Sequence, residues 1–156
     1  MGEVYVKLKI RGVDAHLQPA GSLVEVSALV DTGASRTIVN TRVAREAGVV
    51  LTDLPGNVSG IGGTVPVTLG VVVLAAHECG CAPQALLVGI SDTITEAAGA
   101  EVVLGHDYMQ NVRMRIAMEM EASDRRVTCG KVPHKPRTVP PRAKAPRKRA
   151  AARRRT

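Results

Sequence analysis

The chain has 156 residues, 45% of them hydrophobic, so its length and composition predict one domain with a sizeable core. It contains no Phe or Trp and two Tyr, so the core has to be aliphatic, and its longest apolar run, residues 71–76, is too short to span a membrane. Residues 131–156 hold 11 of the 21 Lys and Arg residues and no acidic residue, whereas the preceding part has 10 basic and 14 acidic residues. The net charge of +7 therefore does not indicate a basic surface on the preceding part.

Two strands are predicted at the start of the chain. Polar and apolar residues alternate over residues 4–10, a turn signal follows at residues 12–14, and residues 23–29 form a second β-prone run. Glycine is frequent, with 15 residues, and the apolar runs are short and β-branched. These patterns favour a small all-β fold.

The second β-prone run leads into a tight turn, Asp31-Thr32-Gly33-Ala34. The Thr32 hydroxyl can lock the turn with a hydrogen bond, Gly33 lets backbone amides approach the carboxylate, and Ala34 keeps the surroundings small. A carboxylate in this setting is suited to activating a water for peptide hydrolysis. In an ordinary β-turn or helix N-cap, the same tripeptide only accepts backbone hydrogen bonds, so this alternative stays open for the turn taken alone.

The Asp-Thr-Gly tripeptide occurs once in the chain. Peptide hydrolysis without a metal or a covalent intermediate needs a second, protonated carboxyl, and the two carboxyls have to share one proton because like charges about 3 Å apart do not both ionise. The economical way to complete the pair is a two-fold homodimer in which each chain supplies Asp31. Under this hypothesis, dimerisation is a condition of activity.

A short helix and a long hairpin are predicted after the turn. Residues 41–48 have apolar residues at helical spacing and a glycine stop, and residues 54–74 form the hairpin. The residues at its tip are Gly60, Ile61, Gly62 and Gly63. Glycine amides at such a tip can hydrogen-bond a peptide backbone, and the hairpin can open to admit it, although a plain flexible hairpin has the same pattern.

The three cysteines are predicted to be free thiols in a reducing compartment. Cys79 and Cys81 lie too close in sequence for a comfortable disulfide, and Cys129 lies far along the chain. His77, Cys79 and Cys81 have no clear fourth ligand, so no metal and no cofactor are predicted.

The last predicted elements are strands and one short helix. Residues 85–90 and 102–104 are strand-like, Gly105 follows, and residues 106–112 form a short helix. Residues 113–120 are predicted as a final strand at a dimer interface.

Three segments in this order resemble the retropepsin-like (retroviral-type) aspartic proteases: residues 29–35 with the strand-like residues 37–40, residues 60–63, and residues 102–109. The resemblance covers about residues 3–121. It implies a small closed β-barrel with one or two short helices and a flap hairpin formed by residues 60–63. It also implies that Asp31 is catalytic and that the substrate is a polypeptide.

One departure from the retroviral pattern concerns two positions beside the turn. Retroviral members often have an acidic residue directly after the Asp-Thr-Gly-Ala turn and an arginine after the late glycine, which form a supporting ion pair. Ser35 and His106 occupy these positions here. The sequence therefore predicts that the dimer is supported in another way.

The chain is predicted to consist of a protease domain over residues 1–125 and a disordered basic tail over residues 126–156, rich in Pro, Arg, Lys and Ala. The tail either solubilises the protein or binds nucleic acid or an anionic surface without sequence specificity. The predicted function is that of a homodimeric aspartic endopeptidase. The alternative is a non-proteolytic module for peptide binding or dimerisation with a nucleic-acid-binding tail. No targeting segment is visible, so a cytoplasmic location is expected.

Overall fold

The structure is a computed structural model that describes residues 3–60, 63–118 and 125–129. Of the predicted basic tail, residues 126–156, the structure describes only residues 126–129, and these lie in a strand where disorder was predicted. The rest of the tail lies outside the described residues, and the predicted domain boundary stays a prediction. The strands are β1 (Tyr5–Val13), β2 (Pro19–Val30), β3 (Ile38–Val39), β4 (Leu51–Gly60), β5 (Gly63–Ala75), β6 (Gln84–Ile90), β7 (Val102–Leu104), β8 (Met114–Met118) and β9 (Arg125–Cys129). The helices are α1 (Thr41–Glu46), α2 (Asp92–Ala98) and α3 (His106–Val112), and a single 3₁₀ turn spans His77–Cys79.

Six strands close into a barrel. Neighbouring strands follow the order β1-β2-β7-β3-β6-β5, and β1 also pairs with β5, which completes the ring. Strand β4 pairs with β5 outside the ring and forms the long hairpin, while β8 and β9 form a separate two-stranded sheet. The predicted all-β barrel is therefore confirmed.

The barrel interior is aliphatic, as the composition requires. In β1, alternate residues Val6, Leu8 and Ile10 are buried, as expected of a strand with one face toward the core. Tyr108 of α3 is the largest fully buried side chain. A second, smaller cluster joins the long hairpin to β3 and β7, and its members are Ile38, Val58, Val67, Leu69 and Val103.

The described residues contain three α-helices, where the sequence predicted one or two short helices. Helix α1 begins where residues 41–48 predicted it, and the Asn40 side chain caps it by accepting a hydrogen bond from the backbone N–H of Val43 at 2.8 Å. Helix α3 also has its predicted bounds. Helix α2 was not predicted, and it lies between β6 and β7.

The predicted free thiols are wrong for two of the three cysteines. Cys81 forms a disulfide with Cys129, with 5.0 Å between the Cα atoms, and Cys79 is free. The spacing of Cys79 and Cys81 excluded only a bond between these two, and the fold places Cys81 against Cys129 at the end of β9. No group of three or more His, Cys, Asp or Glu side chains that could hold a metal is found among the described residues. No helix in this part of the chain is long and apolar enough to cross a membrane.

Candidate active site

Backbone hydrogen bonds within the turn and to β7 hold the turn that contains Asp31 in place. The Asp31 N–H donates to the carbonyl of Leu104 at 3.0 Å, and the Ala34 N–H donates to the carbonyl of Asp31 at 3.2 Å. The Gly33 N–H donates to the Asp31 carboxylate at 2.8 Å. Asp31 is exposed, so the rest of its carboxylate is open to a ligand or to a second chain.

The turn interlocks with the segment that joins β7 to α3. Strands β2 and β7 run parallel, with Val30 opposite Leu104, so the two segments leave the barrel side by side. The His106 N–H donates to the carbonyl of Ala34 at 2.8 Å. A Cβ on Gly105 would lie 2.3 Å from the carbonyl carbon of Arg36, so only glycine fits here without displacing backbone.

Asp107 is a positioning residue that the sequence analysis missed. Its carboxylate accepts hydrogen bonds from the Thr37 N–H at 2.9 and 3.0 Å, from the Thr37 hydroxyl at 2.7 Å and from the Tyr108 N–H at 2.7 Å. Thr37 is fully buried, and its hydroxyl oxygen also accepts from the Gly105 N–H at 3.1 Å. The available signal was an acidic residue in the first turn of a predicted helix, where free N–H groups need acceptors.

A cleft of about 360 Å³ lies beside Asp31. Its walls are formed by the Asp31 turn, the long hairpin and α2, and residues of β3 and β7 also line it. The lining residues are Asp31, Gly33, Ala34, Ile38, Val58, Ser59, Gly63, Val65, Thr93, Ile94, Ala97, Ala98 and Val103. Among the described residues that line it, Asp31 is the only charged one, so the cleft is mostly apolar with one carboxylate in its lining.

Helix α2 forms one wall of this cleft. Its first turn is capped by the Ser91 hydroxyl, which accepts from the Ile94 N–H at 3.3 Å, and Gly99 ends the helix with φ of 65°. Ile94 and Ala98 lie one turn apart and pack against the smaller core cluster. The serine and glycine at the two ends were the sequence signals for this helix.

The predicted flap residues end the β4–β5 hairpin. Gly60 pairs with Gly63, and the hydroxyls of Ser59 and Thr64 lie 3.2 Å apart on the same hairpin. Ile61 and Gly62 lie outside the described residues. Of the predicted flap residues that the structure describes, Gly63 lines the same cleft as Asp31, Gly33 and Ala34. Thr32 is exposed beside this cleft.

Arg36, the residue after Ser35, anchors the turn. It does so through a hydrogen bond and not through an ion pair with the segment after Gly105. The Arg36 guanidinium donates from Nη1 to the carbonyl of Leu87 in β6 at 3.0 Å. The turn is thus tied to β6 through Arg36 and to α3 through Thr37 and Asp107.

The chain is similar to a solved structure and matches a protein-family model. A solved structure of the retroviral protease-like domain of Ddi1 from Leishmania major is similar to the chain with a TM-score of 0.49 and 19% identity, over 85% of this chain and 91% of that chain. No protein with curated information matches the sequence. The family model described as "Aspartyl protease" matches residues 6–108, which is about two thirds of the chain. The chain therefore belongs to the aspartyl protease family.

Proposed function

We propose that the chain is an aspartic endopeptidase that acts as a homodimer, with Asp31 of each chain in a shared dyad. The observation that carries the proposal is the exposed Asp31 residue in the lining of an otherwise uncharged cleft. Membership of the aspartyl protease family supports peptide hydrolysis as the chemistry.

In the proposed dimer, the two Asp31 carboxyls hold one proton between them. The ionised carboxylate takes a proton from a water, which attacks the scissile carbonyl carbon, while the protonated carboxyl donates a hydrogen bond to the carbonyl oxygen. The tetrahedral intermediate then collapses, and a dyad proton passes to the leaving amine. The Gly33 N–H keeps the carboxylate in place during these steps through its 2.8 Å hydrogen bond.

The partner chain would also complete the support of the turn. Thr32 is exposed, so its hydroxyl is free to clasp the opposing turn across the two-fold axis. Gly63 and the rest of the hairpin tip would close over the bound peptide, with backbone amides donating to it.

The cleft lining supports peptides with an aliphatic side chain next to the scissile bond. Apart from Asp31, its polar side chains belong to Ser59 and Thr93, while α2 contributes the small residues Ala97 and Ala98. Burial of an aliphatic side chain there gains hydrophobic free energy, whereas a charged side chain would lose its hydration without a partner.

The proposal is tested by incubating the purified protein with a diverse peptide pool across about pH 4 to 7, the range of a carboxyl dyad. The variant Asp31→Asn should cut nothing. Glu25→Gln is the matched control, because it removes an exposed carboxylate from β2, the strand that leads into the Asp31 turn, at a position away from the turn. Cleavage by Asp31→Asn equal to that of the control would overturn the proposal.

The shared dyad is tested by mixing. When wild-type chains are equilibrated with an equal amount of Asp31→Asn chains, random pairing leaves about a quarter of the dimers with two Asp31 residues, so activity per wild-type chain falls to about half. Unchanged activity would show that each chain acts alone. A folded, dimeric wild type that binds peptides without cutting them would favour the peptide-binding module.

A further inference from the structure

Two contacts fasten α3 and the last described segment of the chain, respectively, to the region around the 3₁₀ turn. The backbone N–H of Ala76 donates to the hydroxyl of Tyr108 in α3 at 3.0 Å. Beyond the turn, Cys81 is bonded to Cys129 at the end of β9. Ala76, Cys81 and Tyr108 are all buried, so both fastenings lie at the edge of the main core.

The hairpin formed by β8 and β9 depends on the second fastening. Within the described residues, β8 and β9 pair only with each other and not with a barrel strand. Val127 and Cys129 are only partly buried where they pack on the core. A two-stranded hairpin is marginally stable alone, so a covalent bond at its end decides how firmly it is held.

We propose that the Cys81–Cys129 disulfide is a redox-controlled tether, whose reduction releases the β8–β9 hairpin from the barrel while the active-site turn stays braced. The turn stays in place because its own supports, the hydrogen bonds between Thr37 and Asp107, involve neither cysteine. In the reduction, a dithiol supplies two electrons and two protons. The bond between the two sulfur atoms breaks, Cys81 and Cys129 each gain a thiol proton, and the dithiol leaves as its cyclic disulfide.

Cys129 is the partly exposed side of the disulfide, and an open groove lies along the strand that carries it. The groove has a volume of about 560 Å³ and is lined by Cys79, by Val127 and Thr128 of β9, and by residues of β1 and β2. Cys79 is thus a free thiol beside the strand that carries Cys129. When deprotonated, its sulfur can attack the Cys129 sulfur and displace Cys81 as a thiolate, which moves the tether by two residues without net oxidation.

The consequence for activity rests on the proposed homodimer. The outer edges of β8 and β9 have no strand partner among the described residues, and such edges can pair with another chain. A tethered hairpin presents these edges in one orientation, whereas a released hairpin does not. Reduction is therefore expected to shift the proposed dimer toward monomers.

Limited trypsin digestion tests the tether directly, because Arg115 lies in β8 and Arg125 and Arg126 lie in β9. The full chain is used with Asp31→Asn, so that self-cleavage cannot contribute and the outcome does not depend on protease activity. We expect dithiothreitol to raise the rate of cutting at these arginines by about tenfold or more, as for a segment that opens locally. Mass spectrometry of the peptides reports each site, and intact mass reports whether the disulfide is present.

Two variants make the test specific. Cys79→Ser keeps the tether and should respond to dithiothreitol as the parent does. Cys81→Ser combined with Cys129→Ser should be cut fast with or without dithiothreitol. Equal cutting rates of the oxidised and reduced parent, or absence of the Cys81–Cys129 bond after oxidation, would overturn the proposal.

The exchange step and the effect on assembly have their own measurements. Cys81→Ser should form a bond between Cys79 and Cys129 under mild oxidation, and failure to form it would overturn the exchange step. Sedimentation of the Asp31→Asn chain should show fewer dimers after reduction. A released hairpin with an unchanged dimer fraction would overturn the link between the tether and assembly.

Discussion

The carboxylate of Asp107 holds the backbone and the hydroxyl of Thr37 at the same time, with distances of 2.9 Å to the N–H and 2.7 Å to Oγ1. The two residues are 70 positions apart in sequence, and they join the segment after the Asp31 turn to the start of α3. Since the Thr37 hydroxyl also accepts from the Gly105 N–H, one buried threonine satisfies groups on both segments.

Replacing Thr37 with Val keeps the shape of the side chain and removes the hydroxyl. The Gly105 N–H then loses its acceptor in a buried site, which costs about 1–3 kcal/mol of unfolding free energy. Urea denaturation measures the loss. Thr64→Val, in which an exposed hydroxyl of the hairpin is removed, is the control and should change stability by about 0.5 kcal/mol or less. Equal effects of the two substitutions would contradict the bracing role of Thr37.

Gly105→Ala should lower the free energy of unfolding by more than the addition of one methyl group suggests. Its Cβ would lie within 2.3 to 2.7 Å of backbone atoms of Arg36 and Thr37, which cannot move without moving the turn. We expect a loss of about 3 kcal/mol, at the upper end for overpacking. Gly80→Ala provides the comparison, since its Cβ would meet nothing within 4 Å and the cost comes only from its φ of 71°. Denaturant unfolding of both variants checks the order, and a smaller loss for Gly105→Ala would contradict it.

The first strands and the Asp31 turn were predictable from the sequence because they depend on local pattern, whereas the closed barrel was implied by the resemblance to the aspartic proteases. Alternating residues define β1, and apolar residues followed by an acidic turn define the end of β2. Helix α2 was missed because Asp92–Ala98 is short and its apolar face consists of little more than Ile94 and Ala98. Only its ends carried a signal.

The Cys81–Cys129 disulfide and the hydrogen bonds between Thr37 and Asp107 were not predictable, because each joins segments that are far apart in sequence. Cys81 and Cys129 are 48 residues apart, and only the closed barrel determines that they meet. Likewise, nothing near Asp107 in the sequence identifies Thr37 as its partner. Contacts between distant segments depend on strand order and register, which the sequence pattern leaves open.

Ala98→Leu should narrow the specificity of the proposed protease. The larger side chain would extend from α2 into the cleft and occupy space for the substrate side chain. We expect the kcat/KM for peptides with a large aliphatic residue to fall by about tenfold or more relative to peptides with alanine, as for a pocket that loses room for a few methylene groups. Competition between the two peptide classes in one reaction measures this ratio. Ala15→Leu, at an exposed position in the β1–β2 turn, should leave it unchanged.

Asp92 should contribute to stability at neutral pH and lose this contribution in acid. Its pKa is lowered, chiefly by the hydrogen bond from the Thr41 N–H at 2.8 Å, with a smaller effect from Arg45. A lowered pKa in the folded state means that the stabilisation is complete above the pKa of the unfolded chain and is lost as pH falls through the folded value.

Urea unfolding of the wild type and of Asp92→Asn at about pH 6 and about pH 3 measures the effect of this carboxylate. The wild type should be more stable than the variant at the higher pH, and the difference should shrink at the lower pH. Asp53→Asn, at an exposed position in β4, is the matched control. A difference between wild type and Asp92→Asn that is independent of pH would contradict the assigned cause.

Cys79 should be alkylated slowly at neutral pH. Burial raises the pKa of its thiol, and the negative charge of Glu78 raises it further, so less thiolate is present at a given pH than for a free cysteine. In the oxidised protein, Cys81 and Cys129 are bonded to each other, so iodoacetamide reports on Cys79 alone. The alkylation rate, followed by intact mass, should keep rising with pH beyond the point where that of glutathione levels off. Glu78→Gln removes the smaller of the two causes and should speed alkylation modestly, with burial still in force. A rate profile identical to that of glutathione would contradict the raised pKa, and it would also mean that exchange between Cys79 and the disulfide is not restrained at neutral pH.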